Sequence, residues 1–204
     1  MPLLKFPNSK LQIPNSKKGK GGFTLVELLV VLGILAIAVG SSLLFLTSVI
    51  KGTNQANVTA EVKQTGQSVL DSLERQIRNA TDAQVLGANY LKIIRLGQDP
   101  LYLQCFSSIA NTRNGWIGTR VMAEPAMPSG SSDFTSLTND SDLISGVDIA
   151  CSSSPLGFDV IAASSTAPPI VTVAFSVSQA INAPSRADFV ANAQFQTTIS
   201  LRQY

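Results

Sequence analysis

The octet Lys20-Gly21-Gly22-Phe23-Thr24-Leu25-Val26-Glu27 separates two chemically different parts of this 204-residue chain. Before Phe23 lies a polar, basic lead of 22 residues, and after it comes an apolar run that ends at Ile50. The only charged side chain in that run is Glu27. At about 1.5 Å per helical residue, the run is longer than a hydrocarbon core of about 30 Å. It therefore predicts a membrane-length helix, and a lone carboxylate inside such a run indicates a function.

These residues resemble the processing site of type IV prepilins and pseudopilins. The family motif is a short basic leader ending in glycine, then Phe, Thr, Leu, a small or branched apolar residue, Glu and an apolar helix. The chain supplies the parts in this order: Gly22, Phe23, Thr24, Leu25, Val26, Glu27. The resemblance covers about the first quarter of the chain and implies the type IV pilin fold.

The resemblance also implies a role for each part of the motif. Prepilin peptidase would cut between Gly22 and Phe23, where a residue without a Cβ lets backbone approach a catalytic site closely. The same enzyme family would N-methylate Phe23. Glu27 would pair with the terminal amine of a neighbouring subunit and set the axial register of a filament, because neither charge is stable alone in apolar surroundings. The simpler alternative is that Glu27 reaches the headgroups at the membrane edge.

A secretory signal and a plain signal anchor are alternatives that explain fewer features of the apolar run and its flanks than the prepilin motif does. A secretory signal has an apolar region of only about 7–15 residues and ends at an Ala-x-Ala-like site. Here the run is longer, and Ala36-Ile37-Ala38 lies in its middle. A plain signal anchor explains the lysines and the length but neither Gly22-Phe23 nor Glu27.

The charges are divided unevenly along the chain. Five lysines and no acid precede Phe23, whereas the remainder carries ten basic and thirteen acidic side chains. By the positive-inside rule we expect a single-pass protein of the inner membrane, with the leader in the cytoplasm and the head outside. After assembly it would lie in a pilus or pseudopilus, at the cell surface or in the periplasm. The basic excess belongs to the leader, so it does not indicate a nucleic-acid partner.

Four segments follow from the pattern: a cleaved leader (1–22), a membrane or filament-core helix (23–50), an amphipathic continuation of that helix (51–86) and a β-rich head (87–204). The continuation has one apolar stripe at helical spacing, interrupted by a turn in which Thr65 and Gly66 occupy the stripe. Its members are Val58, Val62, Val69, Leu73, Ile77 and Ala80. A single apolar face predicts that this half packs against the head.

From Tyr90 onward, runs with alternating apolar residues predict strands separated by long polar loops. The expected strands are 90–96, 101–106, 116–122, 143–149, 158–162, 170–178 and 189–201. The sequence thus predicts an α+β fold, with a long N-terminal helix and a C-terminal antiparallel β-rich globular head.

The chain has two cysteines, Cys105 and Cys151, and both lie in the part that would be exported. An even count outside the cytoplasm favours a disulfide, and two buried free thiols are the alternative.

The chain has no histidine, which excludes histidine-based triads and histidine metal sites. We expect a structural protein rather than an enzyme, with no catalytic residue, metal or cofactor. The loop acids Asp133, Asp140, Asp142 and Asp148 do not have EF-hand spacing, so we interpret them as turn residues rather than calcium ligands. Trp116 is interpreted as a core residue rather than a contact surface with the nearby arginines. Arg75, Arg78 and Arg95 are too scattered in the sequence to predict a nucleic-acid groove.

The stretch from Val69 to Ala80 resembles the end of the long helix in J-type minor pseudopilins and W-type minor pilins. This resemblance implies a minor subunit of a type IV pilus or of a type II secretion or competence pseudopilus. Its expected partners are other pilin subunits, prepilin peptidase/methyltransferase, the inner-membrane assembly platform and membrane lipid. A major pilin and a membrane-anchored binding or adhesin domain that never polymerises remain as alternatives.

Overall fold

The computed structural model describes residues 22–87, 89–151, 157–165 and 167–202. Within these residues, one long helix, α1 (Leu25–Arg78), is followed by nine strands that pair only in antiparallel fashion. This confirms the α+β class. The chain divides into two compact units, one up to Leu46 and one from Thr47 onward. Of the expected leader, residues 1–21 lie outside the described residues.

The first sheet is a meander in which each strand pairs with the next along the chain. Its strands are β1 (Asp82–Gly87), β2 (Tyr90–Arg95), β3 (Gln98–Phe106), β4 (Trp116–Val121) and the two-residue β5 (Thr135–Ser136). The turn from β2 to β3 contains Gly97 at a φ of +67°, a backbone conformation that glycine adopts without steric cost.

The second sheet is built around one central strand. Its strands are β6 (Val147–Cys151), β7 (Phe158–Ile161), β8 (Ile170–Gln179) and β9 (Asn192–Ser200). β9 pairs with residues 170–178 of β8, so β9 occupies one edge of β8 along nearly its whole length. β6 and β7 pair with successive halves of β8, so they share its other edge end to end.

The main core lies between the C-terminal part of α1 and the two sheets. The helix contributes the buried side chains Val62, Val69, Leu70, Leu73 and Ile77. The first sheet contributes buried residues of β2, β3 and β4, and the second sheet those of β6 to β9. These are Leu91, Ile93, Leu101, Leu103, Ile117, Val147, Ile149, Phe158, Val171, Val173, Phe175, Val177 and Ile199. The predicted amphipathic stripe is therefore the face of α1 that is buried within the second unit.

The interruption of the stripe at Gly66 has a structural cause. The ring of Phe195 from β9 occupies the space that a side chain at Gly66 would need, because a Cβ there would lie 2.1 Å from the ring atom Cε2. Phe195 also stacks on Phe175 of β8, with ring centroids 5.5 Å apart. The missing apolar side chain on the helix is thus replaced by an aromatic ring from the sheet.

Three sequence expectations need correction, and the first concerns the end of the helix. The pattern predicts that residues 82–86 belong to the helical segment 51–86, but α1 ends at Arg78 and residues 82–87 form β1. The chain leaves the helix because the Thr81 amide donates to the Ile94 carbonyl oxygen, which begins the pairing with β2. The pattern predicts neither β1 nor β5 as a strand.

The second and third corrections concern strand boundaries. The strand expected at 143–149 begins only at Val147, because Asp142 Oδ1 accepts hydrogen bonds from the Ile144 and Ser145 amides and holds a turn there. The strand expected at 189–201 begins at Asn192, because Ala187–Phe189 form a turn of 3-10 helix.

Candidate processing and assembly segment

The start of α1 is defined by Thr24. Its hydroxyl oxygen accepts a hydrogen bond from the Glu27 amide at 3.2 Å, and its carbonyl oxygen accepts one from the Leu28 amide at 3.1 Å. Thr24 is therefore the N-cap of the helix, satisfying a backbone donor that would otherwise lack a partner. Gly22 and Phe23 precede the cap and are not helical. The proposed cut thus falls on non-helical backbone two residues before the helix begins.

Gly22 is not required by packing within the described chain. A Cβ placed on it would meet nothing within 4 Å, and its backbone does not adopt a positive φ. Gly66 and Gly118 differ in this respect, because neighbouring rings fill the space beside them. The fold of the described residues therefore does not require glycine at position 22.

Glu27 lies in the first turn of α1 and is exposed. The amino-terminal end of a helix carries a partial positive charge, so a carboxylate in the first turn is favourable by about 0.3–1 kcal/mol. This local interaction is small beside the desolvation of an ionised group in an apolar environment, which costs several kcal/mol. Among the described residues, no positive side chain of the same chain lies within ion-pair distance of Glu27.

The apolar side chains that follow Glu27 have no cover within the chain. Phe23 is 77% exposed and Ile37 75% exposed, and every residue from Gly22 to Gly52 is exposed. The most apolar 18-residue window of α1 has a mean hydropathy of 2.7, and none of it is buried. By length and composition, α1 is the one helix in the described part of the chain that can cross a membrane. A continuous apolar surface of this size must be covered by lipid or by other protein.

The predicted disulfide between Cys105 and Cys151 is present. Its S–S distance is 1.97 Å and its Cα–Cα distance 6.2 Å, and it joins the end of β3 to the end of β6. It therefore links the two sheets covalently. Gly157 lies close beside it, since a Cβ at that position would be 2.8 Å from Cys151 Cβ.

The four loop acids each have an acceptor role within the fold. Asp133 accepts hydrogen bonds from Ser129 and Gly130, and these bonds hold the pKa of its carboxyl below the usual range. Asp142 accepts from Ser145 and Ile144, which lowers its pKa in the same way. Asp140 pairs with Arg113, and Asp148 accepts a hydrogen bond from the Gly115 amide. These partners support the interpretation of Asp133, Asp140 and Asp142 as turn residues, whereas Asp148 lies in strand β6 rather than in a loop.

Trp116 lies in a second, smaller core formed by residues of the first sheet and the loop before β5. It is 1% exposed and packs with Tyr102 and Phe134. Its ring stacks on Phe106 with centroids 4.3 Å apart, and the Arg113 guanidinium lies over it at 4.3 Å. The interpretation of Trp116 as a core residue fits this position.

Arginines that are scattered in the sequence are brought together in space. Arg75 and Arg95 line one recess, and Arg202 from the end of the chain lines it as well. No spacing in the sequence predicts this, because it depends on the pairing of β2 with β1 and on the Arg202 amide donating to the Ala80 carbonyl oxygen.

Comparison with known proteins gives one match, and it lies on the segment described above. Residues 17–43 match a family model described as the prokaryotic N-terminal methylation motif. The search of curated proteins and the search of solved structures give no match. The match supports a type IV pilin-like or pseudopilin-like precursor that prepilin peptidase processes, in a family whose members are in general structural subunits.

Proposed function

We propose that this protein is a minor pilin or pseudopilin, a structural subunit that is cut between Gly22 and Phe23 and then assembled into a filament. The observation that carries the proposal is the motif Gly22–Glu27 at the start of a helix run, residues 25–53, whose apolar residues are all exposed. Lipid covers that surface in the precursor, and the helices of neighbouring subunits cover it after assembly. The chain is a membrane-anchored precursor first and a filament component afterwards.

The proposed domain organisation assigns one task to each segment. Residues 1–22 form the removable leader, residues 23–50 the membrane and filament-core helix, and the rest of α1 carries the head. The helix residues with buried side chains all lie from Val62 to Ile77 and pack within the second unit. Every helix residue before Asn54 is exposed, so this part of α1 is left for contact with other subunits.

Cleavage creates the positive partner that Glu27 lacks. The new amine at Phe23 is N-methylated and remains positively charged, and it lies in the same apolar environment as the carboxylate. An ion pair between Glu27 of an incoming subunit and the Phe23 amine of its neighbour offsets part of the desolvation cost of both charges. Because each subunit carries one of each charge four residues apart, the pair fixes the axial offset between adjacent subunits.

The role of Glu27 is tested with a matched pair of variants. Glu27→Ala removes the charge, and Glu27→Asp keeps it on a shorter side chain. We expect both to insert into the membrane and to be processed, and the alanine variant to be lost from purified filaments while the aspartate variant is retained at least in part. Normal co-assembly of Glu27→Ala would contradict the register role. Absence of the parent protein from filaments would favour the alternative of a membrane-anchored binding domain that does not polymerise.

The cleavage site is tested in the same cells. Gly22→Val should leave the full-length precursor, because a branched side chain prevents the close approach of this backbone to the peptidase. Gly33→Ala is the control, since Gly33 also has open space around it but lies within the helix. It should be processed normally. Mature-length protein from Gly22→Val would contradict cleavage at this position.

The assignment to J-type minor pseudopilins or W-type minor pilins rests on the resemblance of the last turns of α1 and on the size of the head. The described head contains nine strands, two of which share one edge of β8. A major subunit would be far more abundant in isolated filaments than any other chain. Quantitative mass spectrometry of the filament therefore separates the two assignments.

A further inference from the structure

The helix α1 begins later than the apolar run that forms it. The run starts at Phe23, and neither Phe23 nor Thr24 excludes helical backbone as a proline would. The helix nevertheless begins only at Leu25, and the Leu28 amide donates to the Thr24 carbonyl oxygen. The backbone at Thr24 thus marks the change from non-helical to helical conformation, immediately after the bond between Gly22 and Phe23.

The Thr24 side chain accounts for this position of the helix start. Its hydroxyl oxygen accepts a hydrogen bond from the amide of Glu27, the third residue of the helix, which is where an N-cap oxygen acts. The pattern Thr-x-x-Glu also permits a return bond from the Thr24 amide to the Glu27 carboxylate. That bond is absent among the described residues, so the Thr24 hydroxyl is the side-chain cap.

An earlier helix start would change the hydrogen bonding of the Gly22 carbonyl oxygen. With the cap at Thr24, this oxygen has no hydrogen bond to any residue that the structure describes. With the cap at Gly22 instead, the Val26 amide would donate to it, because each helical amide bonds to the carbonyl oxygen four residues before it. Glycine is an acceptable N-cap, so this earlier start competes once the Thr24 hydroxyl is removed.

We propose that Thr24 is a positioning residue for cleavage, because its hydroxyl holds the helix start behind the cut and leaves the Gly22 carbonyl oxygen free for the peptidase. The inference rests on the proposed function, since it concerns the same bond. In the reaction, water adds to the Gly22 carbonyl carbon and the bond to the Phe23 nitrogen breaks. The products are a carboxylate on Gly22 and an amine on Phe23.

The free carbonyl oxygen matters in the transition state. Negative charge develops on this oxygen as water adds, and enzymes stabilise such charge with hydrogen-bond donors placed beside it. A helical amide that already bonds to the oxygen competes with those donors. Only the fraction of precursor with a free Gly22 carbonyl oxygen is then competent, and the apparent affinity for the enzyme falls in proportion to that fraction. Loss of an N-cap side chain shifts the balance between two helix starts by about fivefold.

The test compares cleavage of the full-length precursor by purified prepilin peptidase in non-ionic detergent. Thr24→Val keeps nearly the shape of threonine but lacks the hydroxyl, whereas Thr24→Ser keeps a capping oxygen. Thr53→Val is the matched control, since Thr53 is another exposed threonine of α1 and its hydroxyl donates to the Val49 carbonyl oxygen at 2.8 Å. Initial rates over a range of precursor concentrations give kcat/KM. Hydrogen exchange of the Val26 amide, followed by NMR in the same detergent, reports the position of the helix start.

We expect kcat/KM to fall by up to about fivefold in Thr24→Val, to be retained in Thr24→Ser and to be unchanged in Thr53→Val. The Val26 amide should exchange more slowly in Thr24→Val than in the parent protein, because it has gained the Gly22 carbonyl oxygen as a partner. Loss of rate without slower exchange at Val26 would overturn the inference, since the side chain would then act by direct contact with the peptidase. An equal loss in Thr24→Ser would overturn it as well.

Failure of the proposed function gives a different result. A parent precursor that the peptidase leaves uncut, or cuts at another bond, would contradict cleavage between Gly22 and Phe23 and this inference with it. A parent precursor that is cut at this bond with the same kcat/KM as Thr24→Val would contradict the role of Thr24 alone.

Discussion

Replacing Gly66 by alanine tests whether the helix and the second sheet meet as described. In an exposed helix interior, glycine to alanine is favourable by about 1 kcal/mol. At Gly66 the new Cβ would lie 2.1, 2.3 and 2.8 Å from three atoms of the Phe195 ring. The ring must therefore move, and its stacking on Phe175 resists that movement. Overpacking of this kind costs about 1–3 kcal/mol, so the net effect is a destabilisation of up to about 2 kcal/mol.

Gly52→Ala is the matched control in the same helix. A Cβ at Gly52 meets nothing within 4 Å, so this variant gains helix propensity without a clash. Both variants gain the same helix propensity, so this gain cancels when their free energies of unfolding are subtracted. The free energy of unfolding of Gly66→Ala should therefore be lower than that of Gly52→Ala by about 1–3 kcal/mol, the overpacking cost alone.

The assay is urea unfolding of the full-length protein in mild detergent, followed by tryptophan fluorescence. Trp116 is the only tryptophan of the chain and is 1% exposed within the second unit, so its emission reports on the head. Phe195→Leu supplies a second background, in which the clash is relieved and Gly66→Ala should cost less than it does in the parent protein. Equal or greater stability of Gly66→Ala relative to Gly52→Ala would refute this packing.

Two further predictions concern the head. The Cys105→Ser/Cys151→Ser double variant should lose about 4 kcal/mol of stability, which is the loop-entropy value for a sequence separation of 46 residues. The loss is measured as a shift of the urea unfolding midpoint, and an unchanged midpoint would contradict the prediction. Asp142→Ala should destabilise the protein at neutral pH, because Ser145 and Ile144 bond to the ionised carboxylate and lower its pKa. The parent protein loses this stabilisation as the pH falls below 3.8, the ordinary pKa of an aspartate carboxyl. The difference in the free energy of unfolding between the parent protein and Asp142→Ala should therefore become smaller at low pH, and a constant difference would contradict this.

The helix was predictable because its signal is local. A long apolar run and then a stripe at helical spacing can be recognised without knowing their partners. The gap at Gly66 could not be explained from the sequence, because the ring that fills it belongs to Phe195, on the last strand. In the same way, the end of the helix depends on Thr81 bonding to Ile94, a pairing partner thirteen residues further on.

The strands were predictable where alternation was strong, as in β8, and missed where it was weak. β1 has a single buried residue, Ala83, and no alternating pattern, and β5 has only two residues, so neither carries a periodic signal. The recess was missed for a different reason. Arg75, Arg95 and Arg202 are far apart in sequence, and only the sheet pairing and the return of the chain to Ala80 bring them to one place.

The candidate processing segment, in contrast, could be identified entirely from the sequence. Its residues are consecutive, and the match to the methylation motif depends only on residues 17–43. The structure adds that Thr24 caps the helix and that Gly22 has open space around it. Neither observation requires a partner element from elsewhere in the chain.

The most direct test of the central claim is mass spectrometry of the native protein, combining intact mass with sequencing of the N-terminal peptide. The account predicts a chain that begins at N-methylated Phe23, with a total mass lower by two hydrogens for the Cys105–Cys151 disulfide. A chain that retains residues 1–22, or that begins at any residue other than Phe23, would contradict it.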